Sequence, residues 1–525
     1  MNLPHYHSQE DFQVRTKKLE EIRSLGIDPY PPKYSPTHSA KKIIETFGHQ
    51  TVGHSDDAAS GSTPSVKVGG RLVLFREMGK NAFGHIQDES GRIQIMCNRD
   101  LTTVEGFDSE KGGMTPLKFI EKKIDLGDIV GIEGNLFHTQ KGELTIFVKR
   151  LTLLCKTLLP LPEKHSGLCD KEICYRKRWL DLLSHKDVQE RFVLRSKILK
   201  EIRHYFENDG FIEVETPILQ SIYGGAQAKP FVTHLNALHQ EMFLRIALEI
   251  PLKKLSVGGL EKVYEIGKVF RNEGLDRTHN PEFTMLEGYV AYWDYNDVMR
   301  FIENLFEHLA ITLFGSTKLS IEKEGTTHII DLKTPWTRMT MKESLKTYAK
   351  IDVDTLNEEE MKKILLEQTP IDPKSLKNAP RGMLIAHLFA EFVESHLIQP
   401  HHIIDHPIET TPLCKLHRDP ESRKEGIVER FESFILGFEF VNAYSELNDP
   451  ELQRKLLEQQ SEKKLAGDEE ASPLDEEFIE AICQGLPPTG GFGFGIDRLI
   501  MLLTKVHSIR DVLYFPLMKP DENIS

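Results

Sequence analysis

The amino-acid sequence predicts an α+β protein in two folded parts, a small β-barrel followed by a larger domain built on an antiparallel sheet. Three observations predict it. Between Val66 and Thr157, short β-like runs (VKVGGRLVLF, FGHIQD, RIQIMCN, DIVGIEGNLF and LTIFVKRLTLL) are separated by glycine-rich turns, the texture of a small barrel. From about 187 to 209, apolar residues recur at three and four positions, the period of an amphipathic helix. After it, strand-like segments (FIEVETPIL, EMFLRIA, KVYEIGKVFRN and FTMLEGYVAY) give way to a helical region and resume in RFESFILGFEFVNAYSEL. Strands grouped around intervening helices favour an antiparallel sheet.

The elements follow in order. Residues 1–65 read as an N-terminal helical arm, with QEDFQVRTKKLEEIRSLG and SAKKIIETFG on either side of DPYPPKYSP. The arm ends in TVGHSDDAASGSTPS, residues 51–65. That segment is small, polar and turn-rich, carries little apolar surface to offset the entropy of ordering it, and is expected to be a flexible insert. Residues 66–157 form the barrel. The stretch TLLPLPEKHSGLCD breaks both patterns with prolines and a glycine, so residues 158–180 are expected to be a linker. Residues 181–525 form the second domain, with a helical insertion at about 295–400. At 525 residues the chain exceeds one core of ordinary size.

Composition excludes several classes of function. With 39% apolar and 28% charged residues and no long apolar run, the chain reads as globular, with no membrane partner. The start, MNLPHYHSQEDFQ, has neither a basic nor an apolar leader region, so a cytoplasmic location is expected. The six cysteines form no CxxC pair, and neither zinc nor a disulfide framework is expected. A net charge of −14 disfavours indiscriminate coating of nucleic acid, while leaving room for a local basic surface that meets one particular RNA.

Three stretches carry chemistry. In FRNEGLDRTHNPEFTMLEGY, two strands flank a charged loop. Arg271 at a strand end has the rigid donor fork that suits an α-phosphate, Arg277 and His279 add cationic groups, and Phe283 offers a face to a purine. A solvated hairpin beside a core phenylalanine is the alternative. In GGFGFGIDRLIMLL, Gly490, Gly491, Gly493 and Gly495 precede Asp497 and Arg498. Arg498 then falls at the N-terminal end of a buried helix, where an anionic phosphate is favoured. A glycine-rich turn with a surface arginine is the simpler reading of that stretch alone. Glu432, Glu439 and Glu446 are spaced seven apart. If Gly437 marks a tight turn, Glu432 and Glu439 lie on adjacent strands, and two close carboxylates call for a hard cation such as magnesium. Three exposed glutamates on a polar strand face are the alternative, which the apolar neighbours of the carboxylate in LGFEFVNAY disfavour.

Taken in order, these pieces resemble the signature motifs of class II aminoacyl-tRNA synthetases. FIEVETPIL resembles the first motif, FRNEG through HNPEF the second, and GIDRLIML the third. Within the class, YGGAQAKPF, ALEIPLKKL, NAYSELND and GLPPTGG are similar to the lysine-specific enzymes, and the barrel resembles their OB-fold anticodon-binding domain. The resemblance implies a class II catalytic domain with an antiparallel sheet, ATP and magnesium (Mg2+), L-lysine and tRNA(Lys) as substrates, and a homodimer with Pro217 at its interface. It gives Arg271 the α-phosphate and the substrate carboxylate, with Asn442 assisting. It assigns the γ-phosphate to Arg498 and His279, the adenine face to Phe283 and the adenine amine to Glu273. Glu432 and Glu439 would hold magnesium. Gly225 and Glu249 would receive the α-amino group of lysine. Glu446 and Tyr289 would hold the ε-ammonium, with Glu287 nearby and Tyr444 in the same pocket. Phe83, Gln94 and Arg76 would meet the anticodon. Relatives commonly carry two arginines where this chain has Phe75 and Arg76, a departure that puts one such contact in doubt.

The acidic pocket has a reason of its own, because an ammonium needs a carboxylate where an aspartate-specific relative needs a cation. Two rival readings remain open in the sequence. One is an enzyme that lysylates a translation factor protein, although such relatives lack the anticodon domain. The other is a catalytically silent RNA-binding paralogue, which would be expected to have lost at least one of Arg271, Glu432, Glu439 and Arg498.

Overall fold

The computed structural model describes residues 4–162, 168–465 and 470–520. The chain divides into two compact units, the first ending at Cys169 and the second beginning at Asp170.

In the first unit, strands β1 (Ser65–Met78), β2 (Asn81–Gln87), β3 (Arg92–Asn98), β4 (Ile129–His138) and β5 (Leu144–Cys155) form a barrel. Neighbours β3-β2-β1-β4-β5 pair in that order, and β3 closes on β5 with Ile95 opposite Ile146. Residues 81–87 alternate between buried and half-buried positions, as the two-residue period of a strand with one face on a core dictates. That core gathers Val66, Val68, Ile86, Ile93, Ile132 and Val148. It also takes Ile22 from helix α1 (Glu10–Ser24) and Ile43 from helix α2 (Ala40–Phe47), the two helices expected in the arm.

The expected flexible insert at 51–65 is ordered instead. It holds a short helix, α3 (Ser55–Ser60), started by Asp57, whose carboxylate accepts from the His54 amide at 2.9 Å, and ended by Gly61 at φ 86°. Ala58 is fully buried against Met96, Phe137 and Phe147, and Lys149 donates to the Ala59 carbonyl. The polar composition of the segment concealed this because a few small apolar side chains, Val52, Ala58 and Ala59, make the seal. Helix α4 (Pro116–Lys123) lies between β3 and β4, with Phe119 and Ile120 buried.

The second unit starts earlier than residue 181. Helical turns at Lys171–Arg176 and Arg178–Ser184 belong to it, because Arg178 is buried and donates to the carbonyls of Arg510, Leu513 and Tyr514 and to Asp181. Residues 170–180 are therefore anchored structure and not a linker. The long helix α5 (Lys186–Asn208) matches the predicted period.

The sheet of this unit has eight strands: β6 (Ile212–Glu213), β7 (Lys262–Phe270), β8 (Glu282–Ala291), β9 (Thr337–Thr340), β10 (His401–Pro407), β11 (Ile427–Ile435), β12 (Phe438–Ser445) and β13 (Thr489–Gly495). Their order is β9-β10-β11-β12-β13-β8-β7-β6. The pairing is antiparallel through the centre and parallel only at the two edges. Helices α5, α7 (Tyr295–Phe314) and α8 (Ile496–Thr504) share one core with the sheet, joining Ile202, Phe206, Ile302 and Leu499 to Leu286, Val290, Val441, Phe492 and Phe494. Each such side chain contributes roughly 1.5–3 kcal/mol relative to exposure, so this face of the sheet is a rigid floor. Helix α6 (Glu249–Val257) lies against β8.

The expected helical insertion is less uniform than predicted. Helix α7 belongs to the main core, a hairpin pairs Lys318–Lys323 with Thr326–Asp331, and β9 joins the sheet. The remaining helices, centred on Leu365 and Leu388, build a separate core against Ile403 and Phe434. No helix among the described residues is long and apolar enough to cross a membrane.

Candidate active site

Strand alternation builds the site. On β8, Leu286 and Val290 enter the helix-covered core, so Phe283, Met285, Glu287 and Tyr289 face the other way, into a cavity of about 440 Å³. On β12, Val441 and Ala443 are core while Asn442 and Tyr444 line the cavity. On β13, Phe492 and Phe494 are core, and Gly491, Gly493 and Gly495, which alternate with them, line the hollow. A Cβ at Gly491 would lie 1.8 Å from Glu446 Oε1, and one at Gly493 would lie 3.2 Å from Glu287 Cγ. The glycine run thus makes room for carboxylates.

The cavity is lined by Gly225, Glu249, Arg271, Glu273, His279, Phe283, Glu287, Tyr289, Glu432, Glu439, Asn442, Tyr444, Glu446 and Arg498. Every catalytic-unit residue given a lysine, nucleotide or metal role by resemblance is on its wall. Arg277 is not, and Pro217 is exposed in a separate segment after β6.

One end of the cavity is cationic. The Arg271 guanidinium lies 5.2 Å over the Phe283 ring and donates to the Ile246 carbonyl at 3.3 Å. Arg498, in the first turn of α8, donates to the Glu439 carbonyl. Neither arginine has a carboxylate within ion-pair distance among the described residues, so two guanidiniums face the hollow without a direct ion-pair partner. Burial lowers the Arg271 pKa, and Glu273, Glu287 and Glu439 oppose that shift. His279 sits on the loop between β7 and β8, its Nδ1 2.8 Å from Asp276, and is exposed.

Between the two ends stand the paired carboxylates. Leu436 and Gly437 both have positive φ, 56° and 75°, the two-residue hairpin turn that brings β11 and β12 together. Glu432 opposite Asn442 and Glu439 opposite Phe434 then meet across the hairpin. The Glu439 carboxyl is pushed up first by burial and then by the Glu432 charge. Glu394 joins this group, pushed up to about 7 by burial, Glu432 and Glu439. Raised, mutually repelling oxygen donors are the donor set a hard divalent cation relieves.

The other end is anionic. Glu249, Glu287 and Glu446 are all buried. The Glu287 carboxylate accepts from the Leu248 amide at 3.0 Å and the Tyr289 hydroxyl at 3.2 Å. Burial, followed by the Glu249 charge, pushes it up to about 7. The Tyr444 hydroxyl lies 2.8 Å from both oxygens of Glu249. Neither Glu446 oxygen has a hydrogen-bond partner among the described residues, although Oε2 is within ion-pair distance of Lys253, and burial pushes that carboxyl well up although Lys253 opposes it.

Sequence reasoning passed over two residues here. Arg430, on the cavity side of β11, donates to Glu432 at 2.6 Å and to Asn442 at 3.0 Å, holding the centre of the site in register. Period-two counting back from Glu432 would have found it. Lys253 is the other, one helical turn after Glu249 in α6.

In the barrel, Arg76 pairs with Phe83 across β1 and β2, and Gln94 pairs with His85 across β2 and β3. Arg76 is exposed, while Phe83 is half-buried and packs against the cluster of Ala58, Met96, Phe137 and Phe147. Phe75 packs against the barrel core. The Gln94 amide is held at both ends, donating to Glu143 and accepting from Thr145 at 2.7 Å each.

A cavity with two unpaired guanidiniums at one end, a buried carboxylate cluster at the other and an antiparallel sheet beneath defines a class, and comparison with known proteins agrees. Residues 170–519 match the family described as tRNA synthetases class II (D, K and N), and residues 66–154 match the OB-fold nucleic acid binding domain. The chain belongs to the class II tRNA synthetases of this group. Among its relatives, the lysine–tRNA ligase of Chlamydia caviae is 59% identical over 99% of both chains. That of Chlamydia pneumoniae is 58% identical over 98% of this chain and 97% of its own, and that of Bacillus cytotoxicus is 43% identical over 99% of each. Within the class, its place is in the lysine–tRNA ligase family.

Proposed function

We propose that this chain activates L-lysine with ATP as lysyl-adenylate and passes the lysyl group to the 3′ end of tRNA(Lys). In the first step the lysine carboxylate attacks the α-phosphorus in line, an acyl–phosphate bond forms, and pyrophosphate leaves. In the second, a ribose hydroxyl of the tRNA attacks the acyl carbon, the ester forms, and AMP leaves. No side-chain nucleophile takes part, so positioning and charge stabilisation supply the acceleration.

The observation that carries this reading is the charge layout of one cavity, with unpaired Arg271 and Arg498 at one end and the unpartnered Glu446 oxygen at the other. Arg271 clamps the α-phosphate and the lysine carboxylate, and Asn442 assists. Arg498 and His279 take the γ-phosphate, Phe283 stacks on adenine, and Glu273 meets its amine. Glu432 and Glu439 are the residues that would hold magnesium, which when bound offsets triphosphate charge. Gly225 and Glu249 receive the α-ammonium. Glu446 and Tyr289 hold the ε-ammonium, with Glu287 and Tyr444 completing the polar wall. In the barrel, Phe83 stacks on an anticodon base, while Gln94 and Arg76 make polar contacts, Gln94 by exchanging its bond to Glu143. Exposed Ile212, Ile218, Leu219 and Val232 around Pro217 support a homodimer through that face, and the site of action is the cytoplasm.

The test is lysine-dependent exchange of pyrophosphate into ATP, followed by charging of unmodified tRNA(Lys). Exchange and charging are both expected with lysine. Absence of exchange overturns the reading, and exchange without charging favours lysylation of a protein acceptor.

A further inference from the structure

Lys253 has 0% of its side chain exposed, and its ammonium lies inside the carboxylate cluster. It reaches Glu249 at 2.5 Å, one helical turn earlier on α6, and pairs with Glu446, which follows β12. The rings of Tyr444 and Phe478 lie 5.5 and 5.8 Å from the same nitrogen. Burial works against this ammonium, but the two carboxylates outweigh it and hold its pKa above the ordinary value.

We propose that Lys253 is a positioning residue for lysine specificity: a resident cation that fixes Glu249 and Glu446 and leaves one Glu446 oxygen for the substrate's ε-ammonium. The proposal rests on the lysine-site reading above. Three buried carboxylates cannot all ionise in one hollow without cations. Lys253 supplies one permanently, and lysine brings two more in its α- and ε-ammonium groups. A neutral isostere such as norleucine brings only the first. Without Lys253, Glu249 and Glu446 face each other across Tyr444 with no cation between them, and one takes up a proton. Neither Glu446 oxygen has a hydrogen-bond partner among the described residues, and the ion pair distinguishes them by reaching Oε2 and leaving Oε1 without one.

The experiment compares the unmodified chain with Lys253→Met, Lys253→Gln and Lys253→Arg in pyrophosphate exchange, with thermal melting as the control for folding. The unmodified chain must first show lysine-dependent exchange; if it does not, the lysine-site reading fails and not this inference alone. The two neutral variants are expected to raise KM for lysine by about 30-fold or more and to lower the kcat/KM preference for lysine over norleucine by at least about tenfold. KM for ATP should stay within about threefold, because Arg271 and Arg498 are untouched. Lys253→Arg keeps the charge and should restore most of the preference. Lys253→Gln keeps a donor for Glu249 without the charge, so it can decide the matter if Lys253→Met does not fold. A folded neutral variant with unchanged lysine KM and unchanged preference overturns the proposal. So does an equal loss for lysine and ATP, which would mark a structural role.

Discussion

The two ends of the catalytic cavity solve the problem of holding charge in opposite ways. At the end proposed for the triphosphate, Arg271 and Arg498 are tied to carbonyl oxygens, the Met285 sulfur and a ring face and to no carboxylate within ion-pair distance among the described residues, so their charge is available to an arriving anion. At the lysine end, every carboxylate is already engaged in part, by Tyr289, Tyr444 or Lys253. The difference teaches where selectivity resides. An uncompensated guanidinium welcomes any phosphate, whereas a carboxylate with one oxygen committed and the other unpartnered accepts a donor only at one point. The first end supplies rate, and the second supplies choice.

The largest break in that contrast should come from Arg271→Ala. Arg271 serves developing charge at the α-phosphorus, and charge-assisted donors aimed at a transition state are worth about 10²–10³ each. Because this residue is also proposed to hold the lysine carboxylate, adenylate formation should fall by about 10³ or more in single-turnover assays. Near-normal turnover would show that the cationic end does not work as described.

Glu446→Gln should affect the other end alone. The kcat/KM for lysine is expected to fall by about 10²–10³, with little change for norleucine, because a site built around a hydrogen-bonded charge separates substrates far better than one built on shape. An unmodified chain that activated lysine and norleucine equally would remove Glu446 from the ε-ammonium. Ornithine sharpens the same point. It keeps the charge and lacks one methylene, which is worth only about 10- to 200-fold, so it should be the main misactivated amino acid in exchange assays.

Much of this contrast was legible in the sequence, for a physical reason. The residues proposed to meet ATP and lysine lie in short local patterns, and alternation turns Phe283, Glu287, Tyr289, Asn442 and Tyr444 to the side of the sheet that the helices leave free. What escaped depended on contacts between distant segments. Lys253 reads as one more surface lysine in PLKKL until β12 delivers Glu446 to it. Arg178 looked like part of a linker because nothing nearby in sequence announces the three carbonyls it satisfies. The insert at 51–65 was misjudged because hydrophobicity undervalues Ala58, whose small size is what lets α3 seat on Phe137 and Phe147.

The smallest expected effect tests whether the anionic end is tuned or merely crowded. Burial and Glu249 move the Glu287 carboxyl from an ordinary 4.5 up to about 7, so the lysine-free fold carries a proton there that the unfolded chain has lost between those two values. More protons bound in the folded state means that stability declines as pH rises through that window. It is unaffected below 4.5, where both states are protonated, and the cost is complete above 7. Glu287→Gln should remove this decline, so the stability of the variant relative to the unmodified chain should rise between pH 5 and pH 8 in denaturant titrations without lysine. Binding runs the opposite way, since an incoming ammonium favours the carboxylate form. KM for lysine should therefore rise by up to about tenfold as pH drops one unit below 7, and Glu287→Gln should flatten that rise. If Glu287→Gln left the lysine profile unchanged, the proton would belong elsewhere and Glu287 would be a packing residue behind Glu249.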